Sequence, residues 1–141
     1  MKNVVITGAA GQIGKVFVDY LSKDDQYRIY AVDLNFAGLN VSTNSIKYVD
    51  VDITNEQEVI DFFRTIDSID VLINNAGIGV FSHFENRSAE EFMKVVDVNM
   101  KGTFLMCREC IKLMKPIKKG KIVNIGSIYG MVSSDPRIYG D

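Results

Sequence analysis

The sequence has few residues that bind metals or form disulfides: it contains two cysteines, Cys107 and Cys110, and one histidine, His83. These side chains cannot supply the four protein ligands of a structural zinc site, so we expect no metal centre. Both cysteines fall late in a predicted helix, away from the helix N-terminus where a thiolate would be stabilised. We therefore predict that both thiols pack in the interior, with a redox role as the alternative.

The sequence also lacks any apolar run approaching the roughly 18 residues that span a membrane. Its N-terminus enters a predicted strand directly, so we expect no signal peptide. The formal net charge of -2 gives no reason to expect a nucleic acid or an anionic membrane as a partner. With 47% hydrophobic residues, we expect one globular domain over residues 1–141, cytoplasmic and bound to neither nucleic acid nor membrane.

What the sequence does contain is a glycine-rich motif near its N-terminus. An apolar strand over residues 3–7 is followed by Gly8, Gly11 and Gly14 and leads into a predicted helix. Glycines let the backbone approach a pyrophosphate, and the N-terminus of the helix supplies N–H donors and a positive dipole. A second apolar strand ends in Asp33, whose carboxylate can accept hydrogen bonds from ribose hydroxyls. This order of elements predicts a dinucleotide-binding turn, although its G-x-x-G-x-x-G spacing departs from the common G-x-G-x-x-G pattern.

Asp33 also predicts which dinucleotide is preferred. Its negative charge repels a 2′-phosphate, and the following Leu34 and Asn35 provide no cation to bind one. Lys15 lies close enough to assist a phosphate, but a solvated lysine in the first turn of the helix is the preferred interpretation. We therefore expect NAD(H) to be favoured over NADP(H).

Apolar runs alternate with helix-period segments along the whole chain, which is typical of a parallel sheet with helices on its faces. The predicted helices are residues 13–23, 55–66 and 88–114. The predicted strands are residues 3–7, 28–33, 46–51, 71–73 and 121–125. With right-handed crossovers the strand order is 3-2-1-4-5. The expected fold is a Rossmann-type, doubly wound α/β sheet. A full sheet of this type has at least one further strand, so we expect the C-terminal part to be missing.

Capping residues and helix breakers predict where the helices begin and end. Thr54 is the candidate N-cap of the second helix, and Ser88 is that of the third, with Glu91 at the capping-box position. Pro116 and Gly120 are expected to end the third helix. In the first helix, the period groups five apolar residues on one face: Ile13, Val16, Phe17, Tyr20 and Leu21.

Further candidate site residues follow the strands, where ligands bind in open α/β sheets. Asp52 lies just past the third strand and could accept the adenine amino group or only cap the turn. Asn75, Ala76 and Gly77 follow the fourth strand, and small side chains there allow close approach of a ribose. Ser127 follows the fifth strand, where its hydroxyl could polarise a substrate carbonyl or cap a helix.

Taken in order, these motifs resemble a short-chain dehydrogenase/reductase over essentially all 141 residues. The most specific parts are the Asn-Asn-Ala-Gly block at residues 74–77 and the Asp-Val-Asn-Met-Lys-Gly-Thr-Phe run at residues 97–104. The resemblance implies an NAD(P)-dependent oxidoreductase that interconverts an alcohol and a carbonyl and whose full-length form is a homo-oligomer. The cofactor-binding residues that it implies are Thr7, Gly8, Gly11, Gln12, Ile13, Gly14, Asp33, Asp52, Ile53, Asn75, Ala76, Gly77 and Val98.

These residues divide along the cofactor. By the resemblance, residues 7–14 hold the pyrophosphate and Asp33 holds the adenosine ribose. Residues 52–53 bind the adenine, and residues 75–77 with Val98 line the remaining groove.

The resemblance assigns catalysis to Ser127, which would hydrogen-bond the reacting oxygen, and to Asn99, which would position a proton-relay water. The alternative for Asn99 is an interior helix residue bonded to its own turn. The family also has a Tyr-x-x-x-Lys pair a dozen or so residues after the serine. Tyr139 falls about there, but its lysine would be residue 143, beyond the chain. The segment also resembles a subgroup linked to flagellin modification and bacterial surface sugars, in which an insertion makes Tyr139 an insertion residue.

Two other functions stay open from the sequence. The missing Tyr-Lys pair fits a non-catalytic NAD-binding module, which leaves Ser127 and Asn99 unexplained. Gln12, where the common form of the turn has glycine, resembles extended members of the family such as sugar-nucleotide epimerases and dehydratases. If the chain is an oxidoreductase, the expected substrate is a small polar or sugar-like molecule.

Overall fold

The computed structural model describes residues 1–36 and 43–132, so Tyr139 lies outside the described part. In this part the strands are β1 (Lys2–Thr7), β2 (Tyr27–Asp33), β3 (Ile46–Asp50), β4 (Val71–Asn74) and β5 (Lys121–Asn124). They form one parallel sheet in the order β3-β2-β1-β4-β5. The predicted Rossmann-type strand order is therefore confirmed. Within the described ranges, no helix combines the length and the apolarity needed to cross a membrane.

β1 is the central strand and is buried on both faces. Val4 pairs with Ile29 of β2 on one side and with Val71 of β4 on the other. Successive strand side chains point to opposite faces, so Val5 belongs to one hydrophobic cluster while Val4 and Ile6 belong to the other. Burial on both faces explains why β1 is a continuous apolar run rather than an alternating one.

Helices cover both faces of the sheet. On one face α1 (Gln12–Leu21) packs through Val18. The other face is covered by α2 (Glu56–Arg64) and α4 (Thr103–Ile117). A salt bridge of 2.7 Å between Glu56 Oε1 and Arg108 Nη1 joins α2 to α4.

The buried side of α1 differs from the predicted grouping of its apolar residues. Gly14 and Val18 are buried, and Phe17 and Leu21 are partly buried and pack against the same cluster. These four positions follow the i, i+3, i+4, i+7 spacing of one helix face. The other apolar residues of the predicted face are 57%, 65% and 74% exposed, respectively: Ile13, Val16 and Tyr20.

The N-caps of the second and third predicted helices had different outcomes. α2 is capped by Asn55, whose Oδ1 accepts hydrogen bonds from the backbone N–H groups of Gln57 and Glu58, so the assignment of Thr54 as N-cap was wrong. Ser88 caps the third helix and forms a full capping box with Glu91, as predicted.

The third predicted helix is divided into three parts. It consists of α3 (Ala89–Val96), a π-helical turn (Asp97–Gly102) and α4 (Thr103–Ile117). Pro116 lies inside the last turn of α4 rather than ending it. The helix ends instead at Lys118, a left-handed C-cap with φ of 50°.

Candidate functional site

A cavity of about 580 Å³ opens at the carboxyl ends of the central strands. It lies at the switch point of the sheet, where the chain leaves β1 toward β2 on one side and β4 lies on the other. The cavity brings together eleven of the predicted cofactor-binding residues: Gly8, Gly11, Gln12, Ile13, Asp33, Asp52, Ile53, Asn75, Ala76, Gly77 and Val98. Thr7 and Gly14 do not line it.

Two glycines of the turn, Gly8 and Gly14, leave no room for a Cβ. Gly8 has φ of 65°, and a Cβ at this position would lie 2.7 Å from the Cα of Ala76. A Cβ at Gly14 would overlap the Gly8 carbonyl oxygen. Gly14 therefore serves the close packing of α1 against the turn, while Gly8 lets the backbone pass beside the end of β4.

The N-terminus of α1 lies at the cavity and has no capping side chain. The N-cap residue Gly11 has an extended backbone and makes no side-chain hydrogen bond, and the first turn contains no acidic residue. Gln12 and Ile13, the first residues of this turn, line the cavity. Uncapped N–H donors and the positive end of the helix dipole together form a site for an anion such as a phosphate.

Asp33 fixes the glycine turn. Its Oδ2 accepts a hydrogen bond of 2.8 Å from the backbone N–H of Ala10, and its Oδ1 accepts one of 2.8 Å from Leu34. The carboxylate thus holds the turn against the end of β2 while it lines the cavity. The sequence predicted a ligand contact for this side chain but not its hydrogen bond with Ala10.

Thr7 joins the ends of β1 and β4. Its Oγ1 accepts hydrogen bonds from the backbone N–H groups of Asn75 at 3.1 Å and Ala76 at 3.0 Å. In return, Asn75 Nδ2 donates to the carbonyl oxygens of Thr7 and Gly8. The Thr7 side chain is buried at 1% exposure, so its hydroxyl shapes the cavity from behind rather than from its wall.

Asp52 and Ile53 form the part of the wall that follows β3. Asp52 Oδ1 accepts hydrogen bonds from the backbone N–H of Thr54 at 2.8 Å and from its hydroxyl at 2.7 Å. This is the turn-capping arrangement considered for Asp52 from the sequence. Ile53 is only 8% exposed and still lines the cavity.

Asn99 lies in the π-helical turn and holds the segment that follows β4. Its Oδ1 accepts a hydrogen bond of 2.9 Å from the Ile78 N–H, and its Nδ2 donates one of 2.9 Å to the Ile78 carbonyl oxygen. Bonding of this side chain to its own helical turn, the alternative considered from the sequence, is therefore not what the structure has. Single π-turns inside α-helices are frequently found at functional sites.

Ser127 follows β5 and is exposed. Its Oγ accepts a hydrogen bond of 3.1 Å from the Tyr129 N–H, which caps a 3-10 turn (Ile128–Gly130). The capping role considered for Ser127 is therefore observed. Ser127 does not line the cavity, and its catalytic role stays a prediction.

Five lining residues were missed from the sequence: Ala10, Leu34, Val51, Thr54 and Ile78. Each is adjacent in the chain to a predicted lining residue, and each contributes a small, apolar or hydroxyl side chain without a recognisable motif. Their position next to predicted lining residues in the sequence is the signal that could have identified them.

Cys110 is fully buried, and burial raises the pKa of its thiol to about 12. Burial also raises the pKa of the Cys107 thiol, which is partly exposed. Both thiols are therefore protonated at neutral pH, which matches the predicted packing role. Across residues 1–36 and 43–132, no cluster of three or more His, Cys, Asp or Glu side chains is arranged to hold a metal ion.

Comparison with known proteins identifies the family. The family model described as short chain dehydrogenase matches residues 2–138. The chain belongs to the short-chain dehydrogenase family. It is 31% identical to the cyclopentanol dehydrogenase of Comamonas testosteroni over 144 residues, which cover 94% of this chain and 57% of that relative.

Solved structures of the family have the same fold. A short chain dehydrogenase from Leptospira borgpetersenii serovar Hardjo-bovis with bound NAD+ superposes with a TM-score of 0.89 at 41% identity, covering 97% of this chain and 56% of that one. ElxO with NADP bound superposes with a TM-score of 0.82 at 29% identity, covering 97% of this chain and 60% of that one. This chain therefore spans little more than half the length of these short-chain dehydrogenases.

Proposed function

We propose that this chain is the cofactor-binding part of an NAD(P)-dependent oxidoreductase that interconverts an alcohol and a carbonyl by hydride transfer. The observation that carries the proposal is the cavity at the switch point. It combines a tight glycine-rich turn, an uncapped helix N-terminus and the carboxylate of Asp33 in one place. These groups match the pyrophosphate and the ribose of a dinucleotide.

The residues present fit such a cofactor. The N–H groups at Gln12 and Ile13 would bind the pyrophosphate, and Asp33 would bind the adenosine ribose. Asp52 and Ile53 would hold the adenine, while residues 75–77 and Val98 would line the path toward the nicotinamide. The bound cofactor supplies or accepts the hydride.

Ser127 and Asn99 are the catalytic residues in this proposal. The Ser127 hydroxyl would donate a hydrogen bond to the reacting oxygen, which favours the negative charge that develops there. Asn99 would position a proton-relay water and, through Ile78, the segment after β4. Proton exchange with the substrate belongs to the family's Tyr-x-x-x-Lys pair, whose lysine would be residue 143 if Tyr139 were its tyrosine.

We further propose that NAD(H) is preferred over NADP(H). Asp33 carries a negative charge where a 2′-phosphate would lie, and the described residues that line the cavity include no Lys or Arg. A phosphate there would meet like charge without a compensating cation. The structural relatives include one with NAD+ and one with NADP bound, so the preference rests on this chain's own residues.

The substrate in this proposal is a small polar or sugar-like alcohol or carbonyl compound, and the full-length form is a homo-oligomer. The sugar-like class follows the sequence resemblance to enzymes of bacterial surface sugars. A substrate panel should include cyclopentanone, the ketone that corresponds to the alcohol named for the Comamonas relative, as an apolar compound for comparison with the polar and sugar-like ones.

Three experiments test the proposal. Titration with NADH and NADPH, followed by nucleotide fluorescence, should give saturable binding that is tighter for NADH. Binding of neither nucleotide would overturn the proposal. Residues 1–141 alone are expected to be inactive without the Tyr-x-x-x-Lys pair, so oxidation of NADH in the presence of a carbonyl panel is measured on the full-length protein. There it separates an enzyme from a non-catalytic NAD-binding module, which would bind NADH without turnover. Sequencing of the coding region past codon 141 should reveal an in-frame Tyr-x-x-x-Lys.

A further inference from the structure

The π-helical turn rests directly on the side chain of Ile53. Gly102, the last residue of that turn, is buried. A Cβ built on Gly102 would lie 2.7 Å from both Cγ1 and Cδ1 of Ile53, a separation that real Cβ atoms essentially never show. The backbone of the turn therefore packs so closely on Ile53 that a side chain at Gly102 would require the Ile53 side chain to shift.

Backbone conformation does not explain the glycine. Gly102 has φ of −58° and ψ of −49°, which is ordinary helical geometry open to every L-residue except proline. A glycine in a helix interior costs about 1 kcal/mol relative to alanine. Local preference therefore disfavours glycine at this position, and the contact with Ile53 is the feature that requires it.

The same turn meets the cavity at two further points. Val98 lines the cavity itself, and Asn99 holds Ile78, which lines it as well. Ile53 lines the cavity from the segment after β3. The π-helical turn thus supplies one residue of the cavity wall, Val98, and contacts two others, Ile53 and Ile78, which come from separate parts of the chain.

We propose that Gly102 is a positioning residue for the adenine end of the cofactor site. Because Gly102 has no side chain, the π-helical turn can pack directly against Ile53, and this contact sets the position of the cavity wall that Ile53 forms. This inference rests on the proposed binding of a dinucleotide in the cavity. It goes beyond that proposal because Gly102 lines no part of the cavity and acts through Ile53.

The first test is Gly102→Ala. Overpacking against Ile53 should push that wall into the cavity and weaken NADH binding by about tenfold. ADP-ribose, which has the adenine half but lacks the nicotinamide, should lose affinity by the same factor. Gly130→Ala is the matched control because a Cβ there meets no atom within 4 Å, and it should bind both nucleotides like the parent protein.

Melting temperature separates this role from simple helix propensity. Without the contact, replacement of a helical glycine by alanine would raise stability. The proposal is overturned if Gly102→Ala melts higher than the parent and binds NADH with unchanged affinity. Loss of NADH affinity with no loss of ADP-ribose affinity would overturn it too, because the effect would then lie away from the adenine end.

A second variant keeps the test decisive if Gly102→Ala folds poorly. Ile53→Ala removes Cγ1 and Cδ1 and leaves a Cβ contact of 3.4 Å, which is at the edge of ordinary packing. We expect the double variant Gly102→Ala with Ile53→Ala to bind NADH as tightly as Ile53→Ala alone. If the double variant binds about tenfold more weakly than Ile53→Ala, the proposal is wrong. Failure of the proposed function would differ: the parent protein itself would bind neither nucleotide.

Discussion

Asn99 and Ile78 are joined by a reciprocal pair of hydrogen bonds, in which one side-chain amide satisfies both backbone polar groups of a residue 21 positions earlier. Both bonds measure 2.9 Å. The pair connects the π-helical turn to the segment that follows β4, and Ile78 and Val98 line the cavity on either side of it. The geometry of this wall therefore depends on a single amide.

Asn99→Ala should loosen this wall. Each lost hydrogen bond is worth about 0.5–1.5 kcal/mol, so we expect the free energy of unfolding to fall by about 1–3 kcal/mol and NADH affinity to fall as well. Urea unfolding and NADH titration measure the two effects. Asn86→Ala, an asparagine at an exposed position nearby, is the matched control and should change stability by less than about 0.5 kcal/mol. Equal behaviour of the two variants would contradict the role of the Asn99 pair.

Thr7→Val should destabilise the fold although the two side chains have nearly the same shape. Valine leaves the partly buried N–H groups of Asn75 and Ala76 without their acceptor, at a cost of about 1–3 kcal/mol for each unsatisfied group. Thr7→Ser keeps the hydroxyl and should retain most of the stability. Urea unfolding of both variants checks the prediction, and a serine variant as unstable as the valine variant would exclude the hydroxyl as the cause.

Asp33→Asn should reduce the preference for NADH over NADPH by about tenfold, because it removes the negative charge that a 2′-phosphate would meet. Asparagine keeps one side-chain oxygen as a hydrogen-bond acceptor, so the glycine turn should lose less than it would with alanine. The ratio of dissociation constants for the two nucleotides is the measurement. Asp25→Asn makes the same change in net charge at an exposed position and should leave the ratio unchanged. A parent protein that binds NADPH as tightly as NADH would refute this role of Asp33.

Asp70 should contribute to stability in a pH-dependent way. The Asn3 N–H, donating to Asp70 Oδ2 at 3.0 Å, is the main cause that lowers the pKa of this carboxyl, and Lys119 adds to it against the opposing effect of burial. Because the folded pKa lies below the unfolded value of about 3.9, the stabilisation is complete above that value and is lost as the pH falls through the folded pKa.

The matching experiment compares Asp70→Asn with the parent protein. We expect the variant to unfold with about 1–2 kcal/mol less free energy near neutral pH. The difference should shrink as the pH falls from about 5 to about 3. Asp67→Asn, at an exposed position, controls for the change in net charge. A difference that stayed constant down to about pH 3 would contradict the assigned role.

The centre of the sheet could be predicted from the sequence because β1, β2 and β4 are buried on both faces. In β1 the consecutive residues Val4, Val5 and Ile6 leave no helical or alternating interpretation, and right-handed crossovers then leave one strand order. The glycine turn was predictable for a similar reason. Gly8 and Gly14 lie where a Cβ would collide with backbone atoms, so the glycines themselves indicate the tight turn.

The π-helical turn could not be predicted from periodicity. One extra residue in a turn shifts the helix face only locally, and the apolar pattern on either side of Asp97–Gly102 still fits a continuous helix. The N-cap of α2 was missed because Thr54 and Asn55 are adjacent and both favour N-caps; Asp52 binds the Thr54 hydroxyl and leaves the cap to Asn55. Pro116 is tolerated because it stands near the end of α4.

The sequence predicted which residues belong to the candidate site better than it predicted the contacts between them. Small residues and a carboxylate at strand ends are visible in a sequence. Hydrogen bonds between distant segments are not, such as those from Ala10 to Asp33 or from Asn75 to Thr7. For Ser127 the sequence left capping and catalysis open, and the capping bond to Tyr129 leaves the catalytic role to experiment.

The central position of β1 has a consequence for how the protein is made. β1 is synthesised well before its partner on one edge, β4, which is encoded almost seventy residues later, at Val71–Asn74. Throughout that interval the nascent chain presents an open strand edge beside a strongly apolar surface, the combination that recruits other chains. Pairing across such a sequence distance is slow. The longer β4 takes to pair, the longer this edge of β1 stays open to association with other chains.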